Sequence, residues 1–285
     1  MNLRRTNTLL LLLVLTLGTL AWWSTREQPA APPQLLTELQ PEQINSIVLS
    51  NRSGAAIRLR LSAGRWQMTE PYEVEANEVL IQRLLQITTS PVRHQFPIEP
   101  SRLDEFGLAP AKARLRLNQL DLVIGETDPI NHDRYLAIGA QLYLIKDLFP
   151  HLLLAPATSY VSPNVLPSGS ELELIWTSEW QLERTLERSG TWQLTPESSD
   201  ISMDQLIEQV DEWKSAQAVG VTVAPDTAPE DWIEIRLRDS RTPLSFGILR
   251  QRDTNLLSRE DLHLAYQLPQ LLDLLALPRK RSQDH

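Results

Sequence analysis

The chain has 285 residues, of which 42% are hydrophobic and 22% are charged, so it can bury a core for one large domain or two ordinary ones. The absence of cysteine excludes disulfide frameworks, Cys-ligated zinc, iron–sulfur clusters and thiol catalysis. The net charge of −9 argues against nucleic acid as a partner, because binding phosphates requires a cationic surface.

The first predicted element is a membrane-spanning helix within residues 1–27. Residues 6–24 carry no charge and would form a helix about 28 Å long, close to the roughly 30 Å hydrocarbon core of a bilayer. Arg4 and Arg5 precede this run and predict a cytoplasmic N-terminus. A signal peptide cleaved near residues 19–21 is the alternative, but the two tryptophans that follow favour a retained anchor. The prediction is a single-pass protein of the bacterial inner membrane, with the bulk of the chain in the periplasm.

The rest of the chain contains an internal repeat. Residues 63–69 (AGRWQMT) recur as residues 189–195 (SGTWQLT), 126 positions later. Ser202 followed by Gln205 is typical of a capping box at the start of a helix. At the same offset, apolar residues spaced as on one helix face also recur. They are Leu80, Ile81, Leu84 and Ile87 in the first copy, and Leu206, Ile207, Val210 and Trp213 in the second.

These patterns predict an α+β fold made of two tandem repeat units. Each unit is predicted to contain three strands, one main amphipathic helix, two strands and a short helix, folded as a mostly antiparallel sheet packed by that helix. The units occupy residues 40–160 and, in a degenerate copy, residues 170–278. A proline-rich tether of residues 28–39 precedes them, residues 161–169 link them, and a basic tail of residues 279–285 follows.

The first copy carries residues that together resemble a known family. They are Gly64, Trp66, Thr69 and Pro71, the segment 105–110 (EFGLAP), Ile124, Gly125 and Tyr135. On these residues the chain resembles domain-of-unknown-function family 4340 over residues 40–160. The resemblance implies an exported, N-terminally anchored bacterial protein, and some members of the family are associated with membrane transport machinery. It implies no catalytic residue.

The densest polar cluster, residues 128–135, has two interpretations. Asp128, Asn131 and Asp133 could offer oxygen ligands to a hard cation. The spacing lacks the glycine and the closing glutamate of a calcium loop, whereas Pro, Asn and Asp are typical of a turn between strands. We therefore predict a hairpin turn and no metal site. The histidines also lack a zinc-binding spacing; they are His94, His132, His151, His263 and His285.

Tryptophan is the residue type that could form an interaction surface. Trp66 and Trp192 occupy equivalent strand positions and Trp213 lies on the apolar helix face, so we predict that these three are core residues. Trp176 and Trp180 have no apolar counterpart in the first copy. We predict that they are exposed at the seam between the units and available for interaction.

The sequence predicts a non-catalytic protein. No nucleophile elbow or nucleotide-binding loop is present, and the adjacent Glu230 and Asp231, which a glycosidase could use, are expected by chance among 36 acidic residues. We expect no catalytic residue, cofactor or metal. The predicted function is that of an accessory or scaffold protein of an envelope complex, anchored in the inner membrane through residues 6–24 and bound to another envelope protein. The alternative is a periplasmic glycan- or ligand-binding module, and an envelope hydrolase would require a cleft with two carboxylates or a His–carboxylate pair.

Overall fold

The computed structural model describes residues 3–24, 33–185, 191–238, 240–251 and 254–277, with the backbone alone at residues 3–10, 21, 24 and 251. The chain divides into two compact units, residues 1–35 and residues 36–285. The predicted basic tail, residues 279–285, lies outside the described residues.

The first unit contains a single described helix, α1 (Leu3–Ser24). Its described side chains, at residues 11–20, 22 and 23, are exposed and mostly apolar. Among the described residues, no helix is both long enough and apolar enough to cross a membrane. The membrane span predicted for residues 6–24 therefore stays a prediction.

The second unit begins with a nine-stranded antiparallel sheet in the order β4-β3-β2-β1-β6-β7-β8-β9-β5. Its strands alternate apolar and polar residues, as in β2, where the residues at positions 57 and 59 are buried and those at positions 58 and 60 are exposed. The strands are β1 (Ser46–Asn51), β2 (Ile57–Ser62), β3 (Arg65–Glu70), β4 (Val74–Glu75), β5 (Val92–Pro97), β6 (Ala113–Leu117), β7 (Leu120–Thr127), β8 (Asp133–Ile138) and β9 (Gln141–Lys146). Helices α2 (Glu78–Leu85) and α3 (Pro150–Leu153) accompany this sheet.

The second sheet has eight antiparallel strands in the order β12-β11-β10-β14-β15-β16-β17-β13. These strands are β10 (Leu172–Trp176), β11 (Gln181–Arg184), β12 (Trp192–Thr195), β13 (Gly220–Val223), β14 (Asp231–Leu237), β15 (Leu244–Gln251), β16 (Thr254–Arg259) and β17 (Leu264–Gln267). Helices α4 (Met203–Ser215) and α5 (Leu271–Leu275) belong to this half.

The predicted α+β class is confirmed, with two large antiparallel sheets and few helices. The predicted number of strands after the main helix, two, is wrong, because among the described residues five strands follow α2 and five follow α4. Two of the extra strands come from the hairpin of β8 and β9. The third is β5, which pairs with β9 at the far edge of the sheet. Residues 93–96 of β5 are all exposed, so they give no alternating signal.

One hydrophobic core runs through both halves of the second unit. It includes Trp66, Trp192 and Trp213, which confirms the prediction that these three are core residues. The residues predicted as two units, 40–160 and 170–278, therefore share a core. Burying apolar surface from both sheets in one place gives each half more stabilisation than either sheet would have alone.

The two main helices bury one face each, as predicted, and in the second the prediction is confirmed for Leu206, Val210 and Trp213 but wrong for Ile207. Helix α4 buries Leu206, Gln209, Val210 and Trp213, whereas Ile207 is exposed. The spacing i, i+3, i+4, i+7 places Gln209 inward and turns Ile207 outward. Gln209 is accommodated because its side-chain amide donates to the carbonyl of Leu274, at 2.8 Å.

The predicted capping box is confirmed at the start of α4. The hydroxyl of Ser202 accepts from the backbone N–H of Gln205, and the Gln205 side chain accepts from the backbone N–H of Ser202 at 2.8 Å. In α2, Asn77 has the same role, since its side chain accepts from the backbone N–H of Leu80. Both caps satisfy donors that a helix start would otherwise leave open.

Residues 161–169, predicted as a linker, are bonded to both halves. Val161 forms a β-bridge with Ala76, and Asn164 forms one with Gln217. Val165 is buried in the shared core. The predicted tether, residues 28–39, is also partly integrated, because Leu36 is buried and its N–H donates to the carbonyl of Ser90. Residues 28–32 of the tether lie outside the described residues.

Residues 98–111 cover part of the outer face of the first sheet, which is the face turned away from the shared core. Leu108 packs there with Ala137 and Leu142 in a small separate cluster. A Cβ atom at Gly125 would lie 2.3 Å from the carbonyl oxygen of Phe106, so only glycine allows this segment to approach β7 so closely. The outer face of β1, β2 and β6 remains open, with exposed side chains on β2 and β6.

Candidate functional site

A groove of about 460 Å³ lies where the two halves and the linking segment meet. Strands β3 and β4 and the start of α2 form one side, residues 162–168 form the other, and Gln217 comes from the second half. Trp66 lines the groove but is only 7% exposed, whereas Val79 is 60% exposed. The groove therefore combines polar side chains with one exposed apolar contact.

A connected polar network organises this groove. Glu75 accepts from Arg65 at 3.3 Å and from the backbone N–H and hydroxyl of Ser168 at 3.1 and 3.0 Å. The guanidinium of Arg65 also donates to the carbonyl of Ser168. Asn164 donates to the Ser168 hydroxyl at 3.1 Å and accepts from the Gln217 side chain at 3.0 Å. Arg65, Glu75, Asn164 and Gln217 thus each have a partner within the groove, which fixes its shape.

The backbone places these side chains by bonds between the halves of the groove. The N–H of Ala76 donates to the carbonyl of Trp66, and the N–H of Ser162 donates to the carbonyl of Glu75. The N–H of Ala218 donates to the carbonyl of Pro163, which connects the second half. No local sequence pattern indicates this site, because its members come from residues 64–79, 162–168 and 217.

The groove also bears on the hydrolase interpretation, since Glu75 and Glu78 both line it. An acid–base pair needs one carboxyl free to exchange a proton with the substrate. The Glu75 carboxylate instead accepts three bonds from Arg65 and Ser168. These three bonds hold the Glu75 side chain in place, which fits a structural role.

The two tryptophans predicted to be exposed differ from each other. Trp176 is 42% exposed, as predicted, but it lies on the outer face of β10 and not among the residues that line the groove between the halves. For Trp180 the prediction is wrong, because it is only 2% exposed and its indole N–H donates to the carbonyl of Leu275 at 2.7 Å. Helix α5 covers this side chain, so it is a core residue. The sequence comparison paired Trp180 with Gly54 and therefore predicted exposure. It could not show that α5 packs on Trp180.

The polar cluster at residues 128–135 forms the predicted turn between β7 and β8. Asp128 accepts from the backbone N–H of Asn131 at 2.8 Å and from the hydroxyl of Tyr135 at 2.9 Å. The bond from Asn131 holds the pKa of Asp128 below its usual range. Burial, with a smaller effect of Asp128, raises the pKa of Tyr135. The Asp128 carboxylate is thus occupied in closing the turn.

Next to this turn lies a buried ion pair that the sequence did not reveal. Arg134 binds both carboxylate oxygens of Asp147, at 3.0 and 2.7 Å, and donates to the carbonyl of Gly125 at 2.8 Å. The Thr127 hydroxyl donates to Asp147 as well, at 3.0 Å. The side chains of Arg134 and Asp147 are 9% and 17% exposed. Such a pair fixes the packing of β7, β8 and the residues after β9.

The remaining candidate residues are dispersed. Glu230 lies 3.8 Å from Arg250, and Asp231 accepts from the hydroxyl of Ser178 and from the backbone N–H of Trp232. Within the part of the chain that the structure describes, no three His, Asp or Glu side chains are grouped so that they could hold a metal ion.

Comparisons of the chain with protein-family models, with curated proteins and with solved structures gave no match.

Proposed function

We propose that this protein is a non-catalytic accessory or scaffold subunit of an envelope complex, possessing a single inner-membrane anchor at residues 6–24 and a periplasmic body. The observation that carries the binding interpretation is the groove between the halves. Its polar side chains hold one another in fixed positions around the exposed Val79. Preorganised surfaces of this kind favour recognition, since little freedom is lost when a partner binds.

The proposal includes a duplication that made the two halves. Apart from β4, the strand order of the first sheet corresponds position by position to that of the second. The hairpin after the central strand contacts the end of the short helix in both halves. In the first, the Asn51 amide donates to the carbonyl of Leu153 at 2.9 Å; in the second, the Trp180 indole donates to that of Leu275 at 2.7 Å.

The main helices support the same duplication at an offset of 125 rather than 126. At this offset the caps Asn77 and Ser202 correspond, and so do the buried Ile81 and Leu206. A single-residue deletion between strand and helix accounts for the difference. The resemblance of residues 40–160 to domain-of-unknown-function family 4340 agrees with an exported, anchored protein, and a link to membrane transport machinery is part of this proposal.

The proposal is tested by purifying the full-length protein and its partners from membranes in several mild detergents. Val79→Asp places a charge on the rim of the groove, where a first-turn aspartate is compatible with the helix. Val223→Asp is the matched control, because Val223 is 62% exposed on β13. We expect an envelope protein to be recovered with the wild type and with Val223→Asp, and to be lost with Val79→Asp. Recovery of a lone monomer in every detergent would contradict the proposal.

A second candidate function is a glycan- or ligand-binding module. It is favoured by the volume of the groove, about 460 Å³, which is within the size range of small-molecule sites. Titration with cell-wall fragments while tryptophan emission is recorded separates the two functions. A ligand in the groove would change the emission of Trp66, which lines it, and a ligand that stacks on the outer face of β10 would change that of Trp176, so comparing Trp66→Phe with Trp176→Phe identifies the site.

Topology is tested separately. A reporter fused after residue 285 is expected to be active outside the cytoplasm, and activity in the cytoplasm would refute the proposed orientation. Mass spectrometry of the mature N-terminus distinguishes a retained anchor from a cleaved signal peptide, because cleavage near residues 19–21 would remove the predicted span.

A further inference from the structure

The open outer face of the first sheet carries two parallel rows of arginines. Arg58 and Arg60 lie on β2, and Arg114 and Arg116 lie on β6. Strand β1 runs between them and directs only the small or apolar side chains of residues 46, 48 and 50 to this face. We call this surface the arginine channel. It is a basic surface on a chain whose net charge is −9.

The two rows overlap at one rung of the sheet, because Arg60 lies beside Ser46 and Arg114 beside Ser50. Val48 pairs with Arg58 on one side and with Arg116 on the other, so two like charges flank the same apolar residue. Both arginines form ion pairs at the outer edges of the channel, Arg58 with Glu70 and Arg116 with Asp121, at 2.6 Å in each pair.

The basic charge of the channel is only partly compensated. In the described part of the chain, neither Arg60 nor Arg114 has an ion-pair partner. The pairs of Arg58 and Arg116 are exposed, with side-chain exposures between 52% and 60%. Exposed pairs contribute little and exchange readily for another anion.

In the second sheet, the equivalent positions carry both acidic and basic residues, so their charges cancel. There Leu174 is flanked by Glu183 and Arg236, in the places of Arg58 and Arg116. These two join in a salt bridge of 2.9 Å between their strands. Glu234 takes the place of Arg114. The first sheet thus lacks the acidic residue that would neutralise the arginine channel. Uncompensated charges of this kind are expected at functional sites.

The spacing of the arginines indicates which anion fits. Alternate residues of a strand are roughly 6.7 Å apart, and the two rows are separated by two strand spacings, roughly 9.6 Å. An extended peptide repeats its side chains on one face with the same spacing of roughly 6.7 Å. Acidic residues at every second position would therefore match the arginines along a row.

We propose that the arginine channel binds an extended protein segment with aspartate or glutamate at alternate positions. This inference rests on the proposed binding function but concerns a different surface from the groove. The acidic segment supplies the counter-charge that the second sheet provides internally.

The test uses the full-length protein in phosphatidylcholine nanodiscs and a fluorescent peptide with glutamate at alternate positions. The variant Arg60→Glu/Arg114→Glu reverses the two arginines that lack an acid partner. Arg83→Glu/Arg93→Glu is the matched control, because Arg83 and Arg93 are exposed elsewhere on the first half. We expect the Kd of the peptide to rise at least tenfold in the first variant and to change less than twofold in the control. Binding should weaken with added salt and disappear when the peptide carries glutamine instead of glutamate.

Three results would overturn the proposal. The first is equal peptide affinity in the wild type and in Arg60→Glu/Arg114→Glu, with circular dichroism showing that the variant is folded. The second is equally strong binding of phosphatidylglycerol vesicles, which would make the channel a lipid-headgroup site. The third is self-association that the variant abolishes, which would make a second copy the occupant. If the variant does not fold, Arg60→Gln/Arg114→Gln must show a smaller loss in the same direction. If the peptide does not bind the arginine channel, the expected effect of Val79→Asp on the recovery of a partner is unchanged. The two proposals can therefore be refuted separately.

Discussion

Replacing Asp147 by asparagine tests how far the buried ion pair stabilises the first sheet. The substitution keeps the shape of the side chain but removes its charge, so Arg134 stays buried without a counter-ion. Breaking a buried pair on one side costs about 3–5 kcal/mol. We expect about 3 kcal/mol, the lower end, because the asparagine oxygen can still accept one bond from the guanidinium and Asp147 is 17% exposed.

The matched control is Asp121→Asn, which breaks the exposed pair with Arg116, whose side chains are 59% and 60% exposed. Pairs of this kind contribute about 0–1 kcal/mol. Urea unfolding of the full-length protein in zwitterionic micelles, followed by tryptophan emission, measures both values. The double variant Arg134→Met/Asp147→Leu should be more stable than Asp147→Asn, since it leaves no unpaired charge. A cost for Asp147→Asn as small as that for Asp121→Asn would refute this account.

Three further predictions concern single contacts. Gly125→Ala should lower the free energy of unfolding by about 1–3 kcal/mol, because the new methyl group would meet the Phe106 carbonyl; an unchanged urea midpoint would contradict this. Trp180→Phe should cost about 1–3 kcal/mol by leaving the Leu275 carbonyl without its donor, whereas Trp176→Phe should stay within about 0.5 kcal/mol in the same assay. Burial raises the pKa of Tyr266 to about 12, so its stabilising contribution is complete below about pH 10 and is lost as the pH rises through 12. Absorbance at alkaline pH should show this tyrosine ionising together with unfolding, and ionisation near pH 10 in the folded protein would exclude the burial.

Local patterns in the sequence predicted the elements whose signal lies within a few residues. The alternation in β6 indicated a strand, the Ser202–Gln205 pair indicated the start of α4, and the Pro, Asn and Asp residues near Asp128 indicated a turn. Each of these depends on neighbours in the chain. The spacing of apolar residues in α4 predicted a buried face but placed Ile207 on it, one position away from the residues that are buried.

Contacts between distant segments were not predictable in this way. The burial of Trp180 depends on α5, which follows it by some ninety residues, and the pairing of Arg134 with Asp147 depends on how β8 and β9 turn back. The groove draws on residues near positions 70, 165 and 217. The arginine channel was visible as alternation in β2 and β6, but only the order of the strands placed its two rows side by side.

The segment that joins the halves determines how this protein can be divided. Val161 and Asn164 are each bridged to a different half, and Val165 and Leu166 lie in the common interior. A gene fragment that ends at residue 169 would leave those two side chains, and the inner surface of the first sheet, in contact with water. Neither half is therefore an independent domain. Expressed alone, each should aggregate, and co-expressed fragments should be soluble only when they bind each other.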